Sequence, residues 1–176
     1  MRTPRRELAT DADLYAAALR ALMRRAHSVH EMRVYLERRS NSVEAVRKAL
    51  DRLKEEKLLD DARYARQFAR VRTETRRQGA FRIGQDLRAR GVPQQHIDAA
   101  LEERGVEINE AEILRTRIAH RLKILRGPLD QRRLASLYRS LLRAGFAPDT
   151  IRRELGARAR LLADELPEVP AEDSST

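Results

Sequence analysis

A set of four apolar residues occurs three times along this 176-residue chain, and the spacing between the four residues is the same each time. The first set recurs 51 residues later, where Ile83 follows Met32, and again after a further 54 residues, where Leu137 follows Ile83. The three sets are Met32, Leu36, Val46 and Leu50; Ile83, Leu87, Ile97 and Leu101; and Leu137, Leu141, Ile151 and Leu155. A repeat at this period indicates tandem structural units.

Within each unit the apolar residues recur three and four positions apart, and the alternating runs typical of strands are lacking. We therefore predict an all-α protein of three tandem three-helix repeats, each of about 50 residues, forming an elongated, curved array. The helices are predicted near 13–27, 29–39, 43–57, 61–77, 80–90, 94–104, 110–126, 130–144 and 148–163.

Glycines mark two of the helix ends. The segments "RGVP" and "AGFAP" place Gly91 and Gly145 directly after a helix, each followed by an apolar residue, Val92 or Phe146. This pattern predicts a Schellman ending, in which the glycine adopts positive φ. The first repeat has Ser40-Asn41 there instead, and we expect Asn41 to take the left-handed conformation.

The composition divides the chain into five segments. We predict a basic disordered N-terminus (1–12), repeat 1 (13–59), repeat 2 (60–108), repeat 3 (109–163) and an acidic disordered tail (164–176).

The net charge is +10. Because the tail holds five acids and no base, residues 1–163 carry +15. Such basicity points to a polyanionic partner, either nucleic acid or an acidic protein surface. The chain has no cysteine, no apolar run long enough for a membrane span and no secretory signal, so we expect a cytoplasmic protein that does not contact membranes.

Catalytic motifs are lacking. No Gly-rich phosphate loop, nucleophile elbow or metal-spaced Cys/His set occurs. The only cluster resembling a ligand set is His27, His30 and Glu31, and its residues straddle a predicted helix boundary, which favours a capping or surface role. Asp60 and Asp61 stand where a helix begins and fit capping. We expect no enzymatic activity and no cofactor.

The segment "LLDDARYARQFARVR" (58–72) predicts an amphipathic helix. At about 100° per residue, Arg63, Arg66, Arg70 and Arg77 share one strip, opposite a packed face that includes Tyr64, Phe68 and Val71. We call these four arginines the ridge. Residues 62–97 contain nine Arg against only Glu74 and Asp86, so we expect the ridge charge to be uncompensated within the protein and to serve as a docking surface. The alternative is an ordinary solvated face.

A second, more diffuse basic region spans residues 109–163, with 13 bases against 5 acids. The aromatic residues are too few for a base-stacking platform, so contact with a phosphate backbone or with acidic protein is the expectation. From the two regions together we predict thirteen binding residues: Arg63, Arg66, Arg70, Arg72, Arg76, Arg77, Arg82, Arg88, Arg90, Arg115, Arg121, Arg132 and Arg133.

Residues 58–72, followed by "GAFRIGQDLRARGV" (79–92), resemble the signature of the RecX family of bacterial RecA regulators. The resemblance covers about residues 13–158. The chain departs from the family pattern at Gly79-Ala80, where the family often has Gly-Pro, and at Ser40, where it often has Gly. The resemblance implies a non-enzymatic regulator in DNA repair and the SOS response. It implies binding along the RecA filament on single-stranded DNA, with limits on filament growth, ATP hydrolysis and strand exchange.

Two other classes stay open. A sequence-specific DNA-binding regulator can be built from three-helix units, although Asn and Gln are scarce on the candidate helices and no dimerisation segment is evident. A protein scaffold would be expected to balance its surface charge. The partners we predict are the RecA filament and, weakly and without sequence preference, single-stranded DNA. We expect a monomer.

Overall fold

The computed structural model describes residues 10–107, 109–124 and 130–164, and within these ranges the chain forms nine α-helices and no strand. The helices are α1 (Asp11–Leu22), α2 (Val29–Glu37), α3 (Val43–Glu55), α4 (Asp61–Arg76), α5 (Ala80–Arg88), α6 (Gln94–Glu107), α7 (Glu110–Ile124), α8 (Gln131–Arg143) and α9 (Pro148–Asp164). Most of the two segments predicted to be disordered, residues 1–9 and 165–176, lies outside the described residues.

Polar side chains start the helices where the sequence supplies them. The side chains of Thr10, Ser28, Ser42, Asp60 and Asp130 each accept a hydrogen bond from a backbone N–H of the first turn. These contacts satisfy N–H groups that have no partner within the helix. Because Thr10 caps it, α1 begins two residues earlier than predicted.

Two helices end as the glycines predict. Gly91 and Gly145 have φ of 69° and 89°. The N–H groups of Val92 and Phe146 bond to the carbonyls of Leu87 and Leu141, which is the Schellman pattern. Both apolar residues are buried.

The prediction for Asn41 is wrong. In the described part of the chain the non-glycine residues with positive φ are Lys57 and Arg77, which follow α3 and α4. Helix α2 ends instead on Arg38 in the right-handed conformation, and Leu36 O accepts from both Arg39 N and Ser40 N. A tightened last turn therefore ends this helix without a left-handed residue.

Each repeat has its own hydrophobic core. Helices α1–α3, α4–α6 and α7–α9 enclose three separate clusters of buried residues. Eleven of the twelve register positions are buried, and the twelfth, Leu101, packs against the second cluster at partial exposure. The repeat detected in the sequence is thus a repeat of core positions, and the three-helix architecture is confirmed.

The joint between repeats 1 and 2 includes two hydrogen bonds at the start of α2. The Ser28 hydroxyl donates to Arg90 O at 2.6 Å, where α5 ends. The Val29 N–H donates to Oδ1 of Asp61 at 2.9 Å, so the first residue of α4 satisfies the first N–H of α2.

The joint between repeats 2 and 3 uses the equivalent positions. Gly79 N donates to Ala144 O at 2.8 Å, and Ala80 N donates to Oε1 of Glu110 at 2.8 Å. Gly79 and Ala80 lie 51 residues after Ser28 and Val29, and Glu110 is the first residue of α7 as Asp61 is of α4. Because equivalent residues form both joints, repeat 3 stacks on repeat 2 in the same way as repeat 2 stacks on repeat 1. This is the arrangement expected of an elongated, curved array.

Glycine permits the close approach at the second joint. A Cβ atom on Gly79 would lie 2.2 Å from the carbonyl oxygen of Gly145, and one on Gly145 would lie 2.4 Å from Arg82 N. Both distances are far below van der Waals contact. Helix α5 and the turn after α8 therefore meet backbone to backbone.

Candidate polyanion-binding surface

Arg63, Arg66 and Arg70 lie on the outer side of α4, as predicted, but Arg77 does not continue their strip, because it follows the helix in the left-handed conformation. Arg63, Arg66, Arg70 and Arg77 are all exposed, whereas Ala65 and Ala69 on the opposite side are fully buried. Asp60 fixes the start of the helix, because its Oδ1 accepts from Arg63 N at 2.9 Å, and this contact lowers the pKa of its carboxyl. The helix thus has one side in the core and presents the ridge to solvent.

The charge of the ridge is partly compensated, and the expectation that it is not was wrong. Arg66 Nε lies 3.9 Å from Glu103, which reaches it from α6, and Arg70 Nε donates to Glu74 at 2.9 Å. Arg63 donates to Lys57 O at 2.7 Å. The two ion pairs are exposed and contribute little to stability, so a stronger anion can replace either acid at small cost.

The ridge borders an open groove between α4 and α6 of about 660 Å³. We call it the ridge groove. Its walls carry both signs of charge, because Glu74 and Glu103 stand among the arginines. A mixed surface of this kind complements a protein surface that itself carries both signs.

A buried arginine closes the floor of this groove. Arg104 is only 5% exposed, and its Nε donates to the Thr73 hydroxyl at 2.6 Å while Nη2 donates to Gln78 O at 3.2 Å. Glu110, at 3.7 Å, supplies the opposite charge. Burial lowers the pKa of Arg104 by more than the negative charge of Glu110 raises it, so the pKa is lowered overall. The sequence analysis did not select Arg104, because nothing in its spacing distinguishes it from the exposed arginines.

The packed face of α4 differs from the prediction at one residue. Tyr64 is buried and Phe68 packs against the same core, but Val71 is 46% exposed. The threonine at position 73 is buried instead, because the Arg104 side chain from α6 binds it. The buried arc of α4 is therefore centred nearer Ala65 and Ala69 than the apolar residues alone indicate.

Four further predicted arginines of repeat 2 make contacts within their own repeat, and Arg90 also lies 3.9 Å from Glu31 of repeat 1. The guanidinium carbons of Arg72 and Arg90 each lie 4.8 Å from the centre of the Phe68 ring, within cation–π range. Arg88 donates to the Gln94 side chain at 2.9 Å, and Arg82 pairs with Asp86 at 3.1 Å.

The predicted arginines of repeat 3 lie apart from one another. Arg115 forms a two-pronged ion pair with Glu154, at 2.7 and 3.2 Å, and this pair joins α7 to α9. Arg132 and Arg133 stand in the first turn of α8, where Asp130 caps the helix through Arg133 N. Arg121 instead lines a cleft together with residues of repeat 2.

A second concave site lies where repeats 2 and 3 meet. We call it the junction cleft; its lining comprises Arg76, Gln78, Arg82, Arg117, Arg121, Ser140, Arg143 and Ala144. Three of its five arginines were predicted as binding residues. Arg117 and Arg143 were not, since only the fold brings α7 and α8 to the end of α4.

The histidine cluster is built into the first joint. His27 Nδ1 lies 3.0 Å from Arg25 O, and burial, then the charge of Arg25, lowers the pKa of His27. Ser28 and Glu31 form a capping box. Across residues 10–107, 109–124 and 130–164 no group of His, Cys, Asp and Glu is arranged to hold a metal ion. The described helices are also too short or too polar to cross a bilayer.

Comparison with known proteins identifies the family. The family models "RecX, first three-helix domain" and "RecX, second three-helix domain" match residues 15–53 and 60–101. The regulatory protein RecX of Halorhodospira halophila is 39% identical over 143 residues, which cover 80% of this chain and 85% of that protein. The chain belongs to the RecX family. RecX of Prosthecochloris aestuarii is 35% identical over 149 residues, covering 83% of this chain and 95% of its own length.

Solved RecX structures share the fold. The crystal structure of RecX from Lactobacillus salivarius has a TM-score of 0.69 at 21% identity and covers 85% of this chain and 97% of its own. A second RecX crystal structure has a TM-score of 0.73 at 24% identity, with coverage of 83% and 73%.

The second RecX model spans the whole ridge, whereas the arginines of α7 and α8 in the junction cleft lie beyond both RecX models. The curated RecX relatives are named regulatory proteins.

Proposed function

We propose that this RecX-family protein binds the RecA filament on single-stranded DNA and limits filament extension, ATP hydrolysis and strand exchange, acting by binding rather than by catalysis. It acts as a monomer in the cytoplasm and does not bind membranes. RecA is the partner because the family is one of RecA regulators and the relatives carry that regulatory name.

The observation that carries the proposal is the pairing of two differently charged concave surfaces on adjacent repeats. The ridge groove carries acids among its arginines, whereas none of the described residues that line the junction cleft is an acid. A nucleoprotein filament likewise offers two chemistries, a protein surface of mixed charge and a phosphate backbone. An elongated array of repeats can contact both along one line.

The remaining predicted arginines extend the binding surface around these two sites. Arg72 lies on α4 beside the ridge, Arg88 and Arg90 lie at the end of α5, and Arg132 and Arg133 lie at the start of α8. Arg115 acts through Glu154 to hold repeat 3 together.

The test is RecA-dependent ATP hydrolysis on single-stranded DNA with increasing amounts of the purified protein. We expect hydrolysis to fall with protein concentration and to stay low when more ATP is added, because the protein acts on the filament rather than on the nucleotide. Unchanged hydrolysis at protein concentrations that saturate the filament would refute the proposal.

A further inference from the structure

Five arginines converge on the junction cleft from four helices. Arg76 ends α4, Arg82 lies on α5, Arg117 and Arg121 lie on α7, and Arg143 ends α8. The cleft is open to solvent and encloses about 470 Å³. Residues from two repeats form it, so the site exists only when the second joint is assembled.

The positive charge in the cleft is largely uncompensated. Arg82 pairs with Asp86, but among the described residues Arg76, Arg121 and Arg143 have no carboxylate within ion-pairing distance. Burial, followed by the charges of Arg121 and Arg77, lowers the pKa of Arg117. Like charges held together cost free energy, and a bound anion recovers it.

One of these arginines is already positioned for a ligand. Arg117 Nη1 donates to Arg76 O at 2.7 Å and to Arg77 O at 3.0 Å, which fixes the guanidinium against the end of α4. Its Nε is buried without a hydrogen-bond partner, as is Oε1 of Gln78 beside it. A buried N–H donor without an acceptor is costly, so the Arg117 guanidinium gains a partner if it turns toward an anionic oxygen bound in the cleft.

We propose that the junction cleft binds the phosphate backbone of single-stranded DNA. This inference rests on the proposed function and assigns the DNA contact to repeats 2 and 3. Guanidinium groups bind phosphates through paired N–H donors. Among the described residues that line the cleft, Ala144 is the one apolar residue, so they offer no pocket for the side chains of a peptide. None of these described residues is aromatic, so they provide no surface on which bases could stack.

The cleft can be tested without RecA. The double variant Arg121→Gln with Arg143→Gln removes two exposed guanidinium groups from the lining of the cleft. The charge-matched control is Arg20→Gln with Arg33→Gln, two exposed residues of repeat 1. Binding of fluorescent oligo(dT) is measured by anisotropy over a series of salt concentrations, and melting curves check the fold.

We expect the cleft variant to bind oligo(dT) at least about tenfold more weakly than the wild type. Its slope of log affinity against log salt should shrink by about 1.4, the value for two lost phosphate contacts on a single strand. The control should change affinity by less than about threefold. Equal losses in both variants, or no loss in either, would overturn the proposal, because net charge alone would then explain binding.

Two further measurements use the unaltered protein. In an NMR titration with oligo(dT), the Arg117 Nε–H resonance should shift, and a resonance that does not move at saturation contradicts the proposal. A peptide of residues 164–176 serves as the competing acidic ligand. If loss of the cleft arginines weakens binding of this peptide but not of oligo(dT), the cleft is a peptide site and the proposal is wrong. A cleft that binds DNA in a protein that does not inhibit RecA would refute only the proposed function.

Discussion

Glu31 connects the two repeats at the first joint. Its Oε2 accepts from Arg25 at 3.1 Å, from Ser28 N at 3.2 Å and from the Tyr64 hydroxyl at 3.3 Å, and Arg90 lies 3.9 Å from Oε1. Burial raises the pKa of Glu31, but the hydrogen bonds from Arg25 and Ser28 and the charges of Arg25 and Arg90 outweigh it, so the pKa is lowered overall. The folded protein therefore favours the ionised carboxylate.

Replacing Glu31 with Gln should destabilise the protein by about 1 kcal/mol at neutral pH, since the amide keeps the size but loses the charge. A lowered pKa contributes stability that is complete above the ordinary value of 4.5 and is lost as the pH falls through the folded value. The difference between wild type and variant, measured by urea unfolding, should thus shrink below about pH 4.5. The control is Glu37→Gln, an exposed residue of the same helix. A difference that stays constant down to the acid transition would contradict this reading of Glu31.

The sequence predicted the burial of a residue correctly where burial follows from helical spacing. It failed where burial depends on a contact with a residue far away in the sequence. Leu36, Ile83 and Leu141 are fully buried, as their helical spacing predicts. Val71 is apolar yet exposed, and Arg104 is charged yet buried, because Arg104 binds Thr73 from 31 residues away. A contact between side chains so distant in sequence leaves no periodic signal.

At the scale of the helix, α4 combines a core face with the ridge. Replacing all four ridge arginines with Gln should leave the core face intact, and the lost ion pairs with Glu74 and Glu103 should cost less than about 1 kcal/mol of stability. If the ridge contacts the filament, loss of four charge-assisted contacts should weaken binding to RecA-coated single-stranded DNA at least about a hundredfold. Inhibition of RecA should fall with it.

Two controls separate charge from fold. Phe68→Ala should cost about 2–3 kcal/mol of stability, less than for a fully buried ring, and leave the folded fraction able to bind. A charge-matched variant replaces four exposed arginines of repeat 1: Arg20, Arg24, Arg33 and Arg38. Full inhibition by the ridge variant with an unchanged melting curve would show that the ridge is a solvated face.

The sequence predicted the orientation of α4 but not the environment of its ridge. Caps and apolar spacing are local, so Asp60 and Tyr64 behave as expected. Glu103 lies on α6, 37 residues beyond Arg66, and only the packing of α4 on α6 makes the two neighbours. Counting charges along the segment therefore overstated the free charge of the ridge.

At the scale of the whole molecule, the two joints set how the repeats stack. The register of core residues predicted three repeats, but the joints connect residues that lie far apart in sequence, such as Ser28 and Arg90. Their equivalence at the second joint, between Gly79 and Ala144, became visible only in the fold. The junction cleft depends on this second joint, which is why the sequence did not reveal Arg117 and Arg143 as partners of Arg76.

Replacing Gly79 with Ala should disturb this joint. The φ of −75° is open to alanine, so the cost arises only from contact of the new methyl group with the carbonyl of Gly145. We expect a loss of about 1–3 kcal/mol in denaturant unfolding, together with weaker oligo(dT) binding. Gly105→Ala is the matched control, because no atom lies within 4 Å of its added Cβ in α6. That change should stabilise the protein by about 0.5–1 kcal/mol. Equal effects of the two substitutions would contradict the close approach at the joint.

The central claim is that the protein recognises the RecA nucleoprotein filament rather than DNA alone. The direct measurement compares binding to RecA-coated single-stranded DNA, bare single-stranded DNA and random duplex at a low and a moderate salt concentration. We predict preference for the coated strand at both salts, while affinity for bare DNA falls with a log–log slope of roughly −3.5 for single strands and −4.5 for duplex, as for about five phosphate contacts. Equal affinity for coated and bare strands at moderate salt, or tight binding to one duplex sequence, would contradict the claim.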